Sequence, residues 1–505
     1  MSRMSPWPKP GSGSYRETNG SRRCLMTVDE KQISSLVRRI IEEVKARERK
    51  LEAGVGGIYP DLDEAIAAAQ TAQEQLSSLS LEKRGQLIQR MREAAMAHSP
   101  VLAEMAVRET GMGRVQDKIA KNRLAATKTP GVEDLTTDAW SGDHGLTIVE
   151  MAPFGVIGAI TPSTNPAATV INNAIGMIAA GNSVVFNPHP SAKVTCCRTI
   201  EILNQAILEA GGPANLLTSV GTPDVTTAQA LMRDRRIALL VATGGPVVVS
   251  AALSSGKKAV GAGAGNPPVV VDETADLAKA ARDVTLGASL DNNLPCIAEK
   301  EIIAVDAVCD RLIVGMIKNG AVLLKDREVD DLCRVILTEN EAEKAGSCSR
   351  VDAHRRFGVQ KRFIGKSASF ILTEAGLQVS GDPRVIICEV DRCHPLVVHE
   401  QLMPVLPLVR VADIDEAIRL AVEVEGRNRH TAVMFSRNVD HMTALARAIK
   451  TTVFVKNGPS YAGIGLGGEG FTTFTIAGPT GEGLTSARTF TRRRRCTLVD
   501  AFSIV

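Results

Sequence analysis

The stretch "SLDNNLPCIAEKE", residues 289–301, sets Cys296 behind a proline in a polar turn and ahead of a strand-like run. An ionised thiol in such a turn attacks a carbonyl carbon and carries the acyl group as a thioester, whereas a buried thiol packs as a small apolar side chain. Asn292 and Asn293 beside it predict an exposed, hydrogen-bonding setting. Asn165 stands before Pro166 at a strand-to-helix junction in "ITPSTNPAATVINNAIG". It either caps that helix or offers its amide to the oxyanion that forms when a nucleophile adds to a carbonyl.

Other motifs narrow the chemistry. "VATGGPVVVSAAL" passes from a strand through Gly244 and Gly245 into a helical segment. That arrangement suits a phosphate at a helix N-terminus, and it equally describes a plain tight turn. "GIGLGGEG" (463–470) contains a formal GxGxxG, but "FTTFTIAG" follows it, which is not a helix, so the dinucleotide fingerprint fails its context. The eight histidines form no HExxH, and His394 and His399 lie in an extended-looking "HPLVVHE", so no metal site is expected. GxSxG and Walker A sequences are absent, which argues against serine hydrolases and nucleotide triphosphatases. "TRRRRC" (491–496) reads as a solvated or interface-facing strand.

The elements that must hold these residues come from the rest of the 505-residue chain, which is 44% hydrophobic and long enough for two or three domains. A formal charge of +3 and only 3% aromatic residues give no basis for nucleic-acid binding. Ten cysteines without CxxC pairs fit free thiols in a reducing cytosol. No run of eighteen apolar residues predicts a membrane span.

Residues 1–27 read as disorder or a start-site artefact, Met26 being a candidate start. In residues 28–48, Ile33, Leu36, Val37, Ile40, Ile41 and Val44 recur at helical spacing, and 49–56 form a linker. The helix docks on a partner or packs on its own kind. From residue 60, "DLDEAIAAAQTAQEQL", "LEKRGQLIQRMREAAMA" and "PVLAEMAVRETG" predict amphipathic helices. Short apolar strands then alternate with helices, which predicts an α/β fold with parallel sheets and a second α/β block after Gly261.

Taken in order, "RETG" (108–111), "ITPSTNP" with Asn165, "AAGNSVVFNPHPSA" (179–192), "VATGG" (241–245), "GAGAGNPPVVVD" (261–272), "NNLPC" with Cys296 and "HEQLMPVLPLV" (399–409) with Glu400 resemble the aldehyde dehydrogenase superfamily over residues 57–505. The resemblance implies two Rossmann-like α/β domains plus a small bridging β segment: a dinucleotide- and coenzyme A-binding domain (57–260, with the bridge near 137–149), a catalytic domain (261–484) and a C-terminal oligomerisation segment (485–505). It makes Cys296 the nucleophile, Asn165 and the Cys296 backbone N–H the oxyanion hole, and Glu400 a neighbour of the nicotinamide ribose.

Gly261 stands where hydrolytic members carry the glutamate that activates water. A positioned base contributes about 10²- to 10⁴-fold, so a thiol acceptor, coenzyme A, is implied instead. "SLDNNLPCIAEKEIIAV" and "ARTFTRRRRCTLVDAFSIV" are similar to the CoA-acylating acetaldehyde and propionaldehyde dehydrogenases of bacterial microcompartments. By that similarity, NAD and coenzyme A use one pocket in turn, lined by Thr161, Pro162, Asn187, His189, Thr243, Gly244 and Gly245, with Gly261 and Glu400 completing the cofactor set. It also implies that residues 28–48 bind shell or cargo proteins, that the chain forms a homodimer or homotetramer, and that it works in the bacterial cytoplasm inside a microcompartment. The rival readings are a hydrolytic aldehyde dehydrogenase and a non-catalytic assembly protein.

Overall fold

The computed structural model describes residues 55–339, 356–378 and 380–504. The expected disordered start (1–27), the amphipathic segment 28–48 and all but the last two positions of the linker 49–56 lie outside the described residues. The helices are α1 (Leu62–Ser77), α2 (Leu81–Thr110), α3 (Val115–Lys128), α4 (Pro166–Ala179), α5 (Lys193–Glu209), α6 (Val225–Arg233), α7 (Pro246–Leu253) and α8 (Leu277–Ser289), with further helices beyond. Two helices expected on either side of "HSP" are one, because α2 runs through Pro100. Proline there forfeits a backbone bond, but Ala95, Leu102, Ala103 and Ala106 are buried on both sides of it, so packing keeps the helix whole.

Six parallel strands form the first sheet: β1 (Ile58–Tyr59), β2 (Val156–Thr161), β3 (Ser183–Pro188), β4 (Leu217–Val220), β5 (Ile237–Thr243) and β6 (Ala259–Ala262), in the order β1-β4-β3-β2-β5-β6. All residues of β2 and β3 are buried. Ile157, Ala159, Val184 and Phe186 pack on one face with α4 and α5, while Val156, Ile160 and Val185 pack on the other with α1. That two-sided burial is why the strands read as continuous apolar runs. After β4 the chain returns to the far side of β2, so strand order reverses between β2 and β5. Their carboxyl ends, Thr161 and Thr243, open the crevice where such sheets bind ligands.

The second sheet has seven parallel strands: β7 (Pro268–Val271), β8 (Glu301–Val305), β9 (Ala321–Leu324), β10 (Val385–Glu389), β11 (Val405–Val411), β12 (Thr431–Phe435) and β13 (Val453–Lys456), in the order β9-β10-β11-β8-β7-β12-β13. Only residues 263–267 connect β6 to β7. The carboxyl edge of the first sheet therefore feeds directly into the amino edge of the second. A separate antiparallel sheet joins Asp138–Gly142, Gly145–Pro153 and Thr491–Val499. The Arg492–Arg495 run is part of that last, exposed strand; Arg493 pairs with Asp138, and the Arg495 guanidinium stands over Trp140.

Candidate active site

Four residues sit just ahead of strands of the second sheet: Gly265 before β7, Cys296 before β8, Glu400 before β11 and His430 before β12. Gly265 is where three of them close up. Its N–H donates to Glu400 Oε1 at 3.4 Å, and a Cβ there would lie 2.7 Å from the Cys296 carbonyl oxygen and 2.8 Å from His430 Cγ. Any side chain at 265 would push the three apart.

The turn carrying Cys296 is not the exposed loop that its asparagines predict. From 291 to 305, Cys296 alone is not buried. Asp291, Asn292 and Asn293 take φ of 48°, 56° and 63°, three successive left-handed residues, a conformation Asn and Asp tolerate better than other side chains. Their amides serve the backbone: Asn292 Nδ2 donates to Gly365 O at 2.9 Å, and Asn293 Nδ2 to Ala288 O and Glu299 O at 2.8 and 2.9 Å. Neither amide favours a thiolate at 296; the hydrogen bond that does comes from the Cys296 N–H itself. Burial and the charge of Glu400 push the Cys296 thiol up to about 12, against the pull of Lys300 and Lys121. Lys300 is fully buried beneath the turn, its Nζ donating to Asn293 O at 2.9 Å, and burial lowers its own pKa. Burial likewise raises the pKa of Glu400.

His430 is buried against Gly265, and burial together with the charge of Lys300 holds its pKa down to about 4, so its ring is neutral. Its Nδ1 meets Thr431 Oγ1 at 2.9 Å, which leaves Nε2 without a hydrogen-bond partner. A buried polar atom without a partner costs free energy at this depth.

The Asn165 alternatives separate in the structure. It occupies the N-cap position of α4 but makes no capping hydrogen bond. Instead its Oδ1 accepts from Lys121 Nζ, and its Nδ2 lies 3.2 Å from Thr164 Oγ1. Behind it, Asp291 Oδ1 accepts from the Arg114 N–H at 2.7 Å, and Oδ2 from Lys118 at 3.0 Å and from Lys121. The Asp291 N–H donates to Asp117 Oδ2 at 2.9 Å. Residues 114, 117, 118 and 121 share one helical stripe, so the start of α3 clamps the nucleophile turn.

At the crevice of the first sheet, Gly244 and Gly245 precede α7, and a Cβ built on either meets nothing within 4 Å. No side chain caps α7. The Gly244 N–H donates to Ala262 O, the Val248 and Val249 N–H groups donate to Gly245 O, and Pro246 has none, so what this turn offers a dinucleotide pyrophosphate or the diphosphate of coenzyme A is open space at a helix start. Thr243 Oγ1 is 2.9 Å from Thr475 Oγ1. Pro162 lies in the half-exposed link to Asn165, and Thr161 is buried, its carbonyl accepting the His189 N–H at 3.0 Å. His189 is exposed, with Nδ1 2.8 Å from Ser191 Oγ. Asn187 is committed to the start of α6: Oδ1 accepts from Thr227 Oγ1 at 2.8 Å and Nδ2 donates to Asp224 O at 3.4 Å. Gly261 faces α7, and a Cβ there would stand 2.8 Å from Val249 Cγ1, so a side chain at 261 would require Val249 to shift.

Two further readings are settled by contacts. The GxGxxG at 463–470 wraps a cation, since Lys128 Nζ donates to Gly465 O at 2.6 Å and Gly468 O at 3.0 Å. "HPLVVHE" contains a short helix, Pro395–Val398, rather than an extended run, because Pro395 starts it and His394 Nδ1 accepts from the Leu396 N–H. Sequence reasoning missed Gly265, Lys300, His430, Asp291 and Lys121. Gly265 lies in a motif read only through its first glycine, and the α3 charges have the spacing of a solvated face.

The chain belongs to the aldehyde dehydrogenase family, whose profile matches residues 57–472. It is 52% identical over 450 residues to the acetylating acetaldehyde dehydrogenase of Salmonella typhimurium, covering 89% of this chain and 94% of that protein. Among solved structures it is similar to Rhodopseudomonas palustris propionaldehyde dehydrogenase with bound CoA and an acylated cysteine (TM-score 0.84, 50% identity, 89% of this chain and 100% of that one). The propionaldehyde dehydrogenase from the Clostridium phytofermentans fucose utilisation bacterial microcompartment is similar too, with TM-score 0.84 and 48% identity over 89% of this chain and 100% of that one. No helix among the described residues is long and apolar enough to cross a membrane.

Proposed function

We propose that this chain is a CoA-acylating aldehyde dehydrogenase, converting a short aldehyde such as propionaldehyde or acetaldehyde, with NAD and coenzyme A, into acyl-CoA and NADH. The observation that carries the reading is Cys296, the one partly exposed side chain in a buried turn, closed by Gly265 onto Glu400 and His430. Relatives that acylate CoA on about half-identical chains support the choice of acceptor.

The thiolate form of Cys296, its proton released to solvent, adds through Sγ to the aldehyde carbon, and the resulting oxyanion takes hydrogen bonds from Asn165 Nδ2 and the Cys296 N–H. Thr243, Gly244 and Gly245 would hold a nicotinamide dinucleotide, which would accept the hydride that leaves the former aldehyde carbon as the thioester on Sγ forms. The same oxyanion donors then serve attack by the coenzyme A thiolate, whose sulfur replaces Sγ at the acyl carbon and returns Cys296 as thiolate. Thr161, Pro162, Asn187 and His189 are proposed to shape the adenosine end of the pocket, with Glu400 at the nicotinamide ribose. One observation favours a second reading, hydrolysis: Glu400 is a carboxylate that acts on the Cys296 thiol, a candidate base for water despite Gly261.

Residues 57–260 and 261–484 are proposed as the cofactor-binding and catalytic domains. The exposed strand within 485–505, whose outer edge pairs with no described strand, is proposed as the contact of a homodimer or homotetramer. Kinship with an enzyme from a microcompartment supports a bacterial microcompartment as its location, with residues 28–48 binding shell or cargo.

The test is NADH formation from propionaldehyde and NAD, with and without coenzyme A, with acyl-CoA and free acid both quantified. Turnover that requires coenzyme A and yields propionyl-CoA is expected. Equal turnover to propionate without it would replace this reading by the hydrolytic one.

A further inference from the structure

An oxyanion donor must be aimed, and the amide of Asn165 sits at a helix start. A side-chain amide at a helix start ordinarily turns its oxygen onto the helix N–H groups, and Asn165 does not. Lys121 supplies the reason. An ammonium has donors and no acceptor, so whatever faces Lys121 Nζ from Asn165 must be Oδ1, and Nδ2 must point the other way. Lys121 is itself nearly fully buried and anchored to Asp291, whose other partners are Lys118 and the Arg114 N–H. Asp291 begins the turn that ends at Cys296. One lysine therefore ties the amide of the first domain to the turn that carries the second oxyanion donor and the nucleophile.

We propose that Lys121 is a positioning residue for the reaction: held by Asp291, it fixes the Asn165 amide with its N–H₂ edge toward the substrate oxygen and in register with the Cys296 N–H. This rests on the reading of Asn165 as an oxyanion donor. Lys118 is the natural control. It pairs with the same Asp291 carboxylate and donates to the Thr164 carbonyl at 3.2 Å, but makes no hydrogen bond to the Asn165 side chain. Loss of either lysine disturbs the buried charge cluster, and only loss of Lys121 frees the amide.

The experiment compares kcat and aldehyde KM, at saturating NAD and coenzyme A, for Asn165→Ala, Lys121→Met, Lys118→Met and the double variant Lys121→Met with Asn165→Ala, alongside their thermal midpoints. Asn165→Ala is expected to lower kcat by about 10²- to 10³-fold. Lys121→Met should lose about as much with KM little changed, and the double variant should lose no more than Asn165→Ala alone. Lys118→Met should lose a similar amount of thermal stability while kcat falls by less than about tenfold. A Lys121→Met enzyme no slower than Lys118→Met, or a double variant whose loss is the product of the two singles, would overturn the assignment and leave the oxyanion role of Asn165 standing. Near-normal kcat for Asn165→Ala would remove that role and this inference with it. If Lys121→Met does not fold, Lys121→Gln against Lys118→Gln makes the same comparison with milder changes.

Discussion

The turn at 291–300 and the turn at 243–245 are both short polar links between a helix and a strand, and they are built in opposite ways. In the first, the asparagine amides, the buried lysine and the aspartate are each committed to a partner, three left-handed residues are locked in succession, and one side chain is left partly open. In the second, two glycines stand in open space with no capping side chain. A covalent step needs one geometry held to a fraction of an ångström, which committed hydrogen bonds supply. A pocket that takes one occupant and then another needs surface without side chains in the way.

The sharpest break of that contrast is Cys296→Ala, which should abolish NADH formation entirely while the thermal midpoint stays near that of the parent. Residual turnover would mean that the one open side chain in the closed turn is not the nucleophile. Asp291→Asn tests how far the closed turn depends on its buried charge: the variant keeps a residue tolerant of positive φ but strands Lys118 and Lys121, at a cost of about 3–5 kcal/mol. Urea midpoints read this directly, and an unchanged midpoint would show that the lysines find other partners.

Glu400→Gln sharpens the electrostatics. An anion beside a thiol disfavours the thiolate, so removing it lowers the Cys296 pKa from about 12, and alkylation by iodoacetamide at a fixed pH near 8 should accelerate about three- to fourfold for each unit of that fall, the larger thiolate fraction being partly offset by its lower nucleophilicity. Unchanged or slower alkylation would remove Glu400 as a cause of the raised pKa. The smallest effect is expected in the open turn. Gly245 has φ −64°, which alanine adopts freely, so Gly245→Ala should shift stability by no more than about 0.5 kcal/mol. The KM values for NAD and coenzyme A should nevertheless rise together, by at least about threefold. A rise in only one of them would show that the two do not share this cradle.

Much of this was legible in the chain. Apolar runs such as "GVIGAI" and "NSVVFNP" marked strands buried on both faces, and "VATGG" before "PVVVSAAL" marked the strand, turn and helix found there. Cys296 and Asn165 could be singled out from their neighbours, but not their surroundings. The asparagines beside Cys296 looked like the lining of an exposed loop, because nothing local reveals that their amides are spent on Gly365, Ala288 and Glu299. The charged stripe of α3 drew no reading at all, because its partner, Asp291, lies far along the chain.

Local patterning thus determined the α/β class, the strand and helix sites and the residue types able to do thioester chemistry, since backbone propensity and hydrophobic period act over a few neighbours. Only the tertiary structure decided which of those residues meet. The link 263–267 butts the carboxyl edge of one parallel sheet against the amino edge of the next, and there Gly265, Cys296, Glu400 and His430 converge from four strand starts. Burial at that seam, a property of the assembled fold and of no segment alone, shifts the ionisation of Cys296, Glu400 and His430.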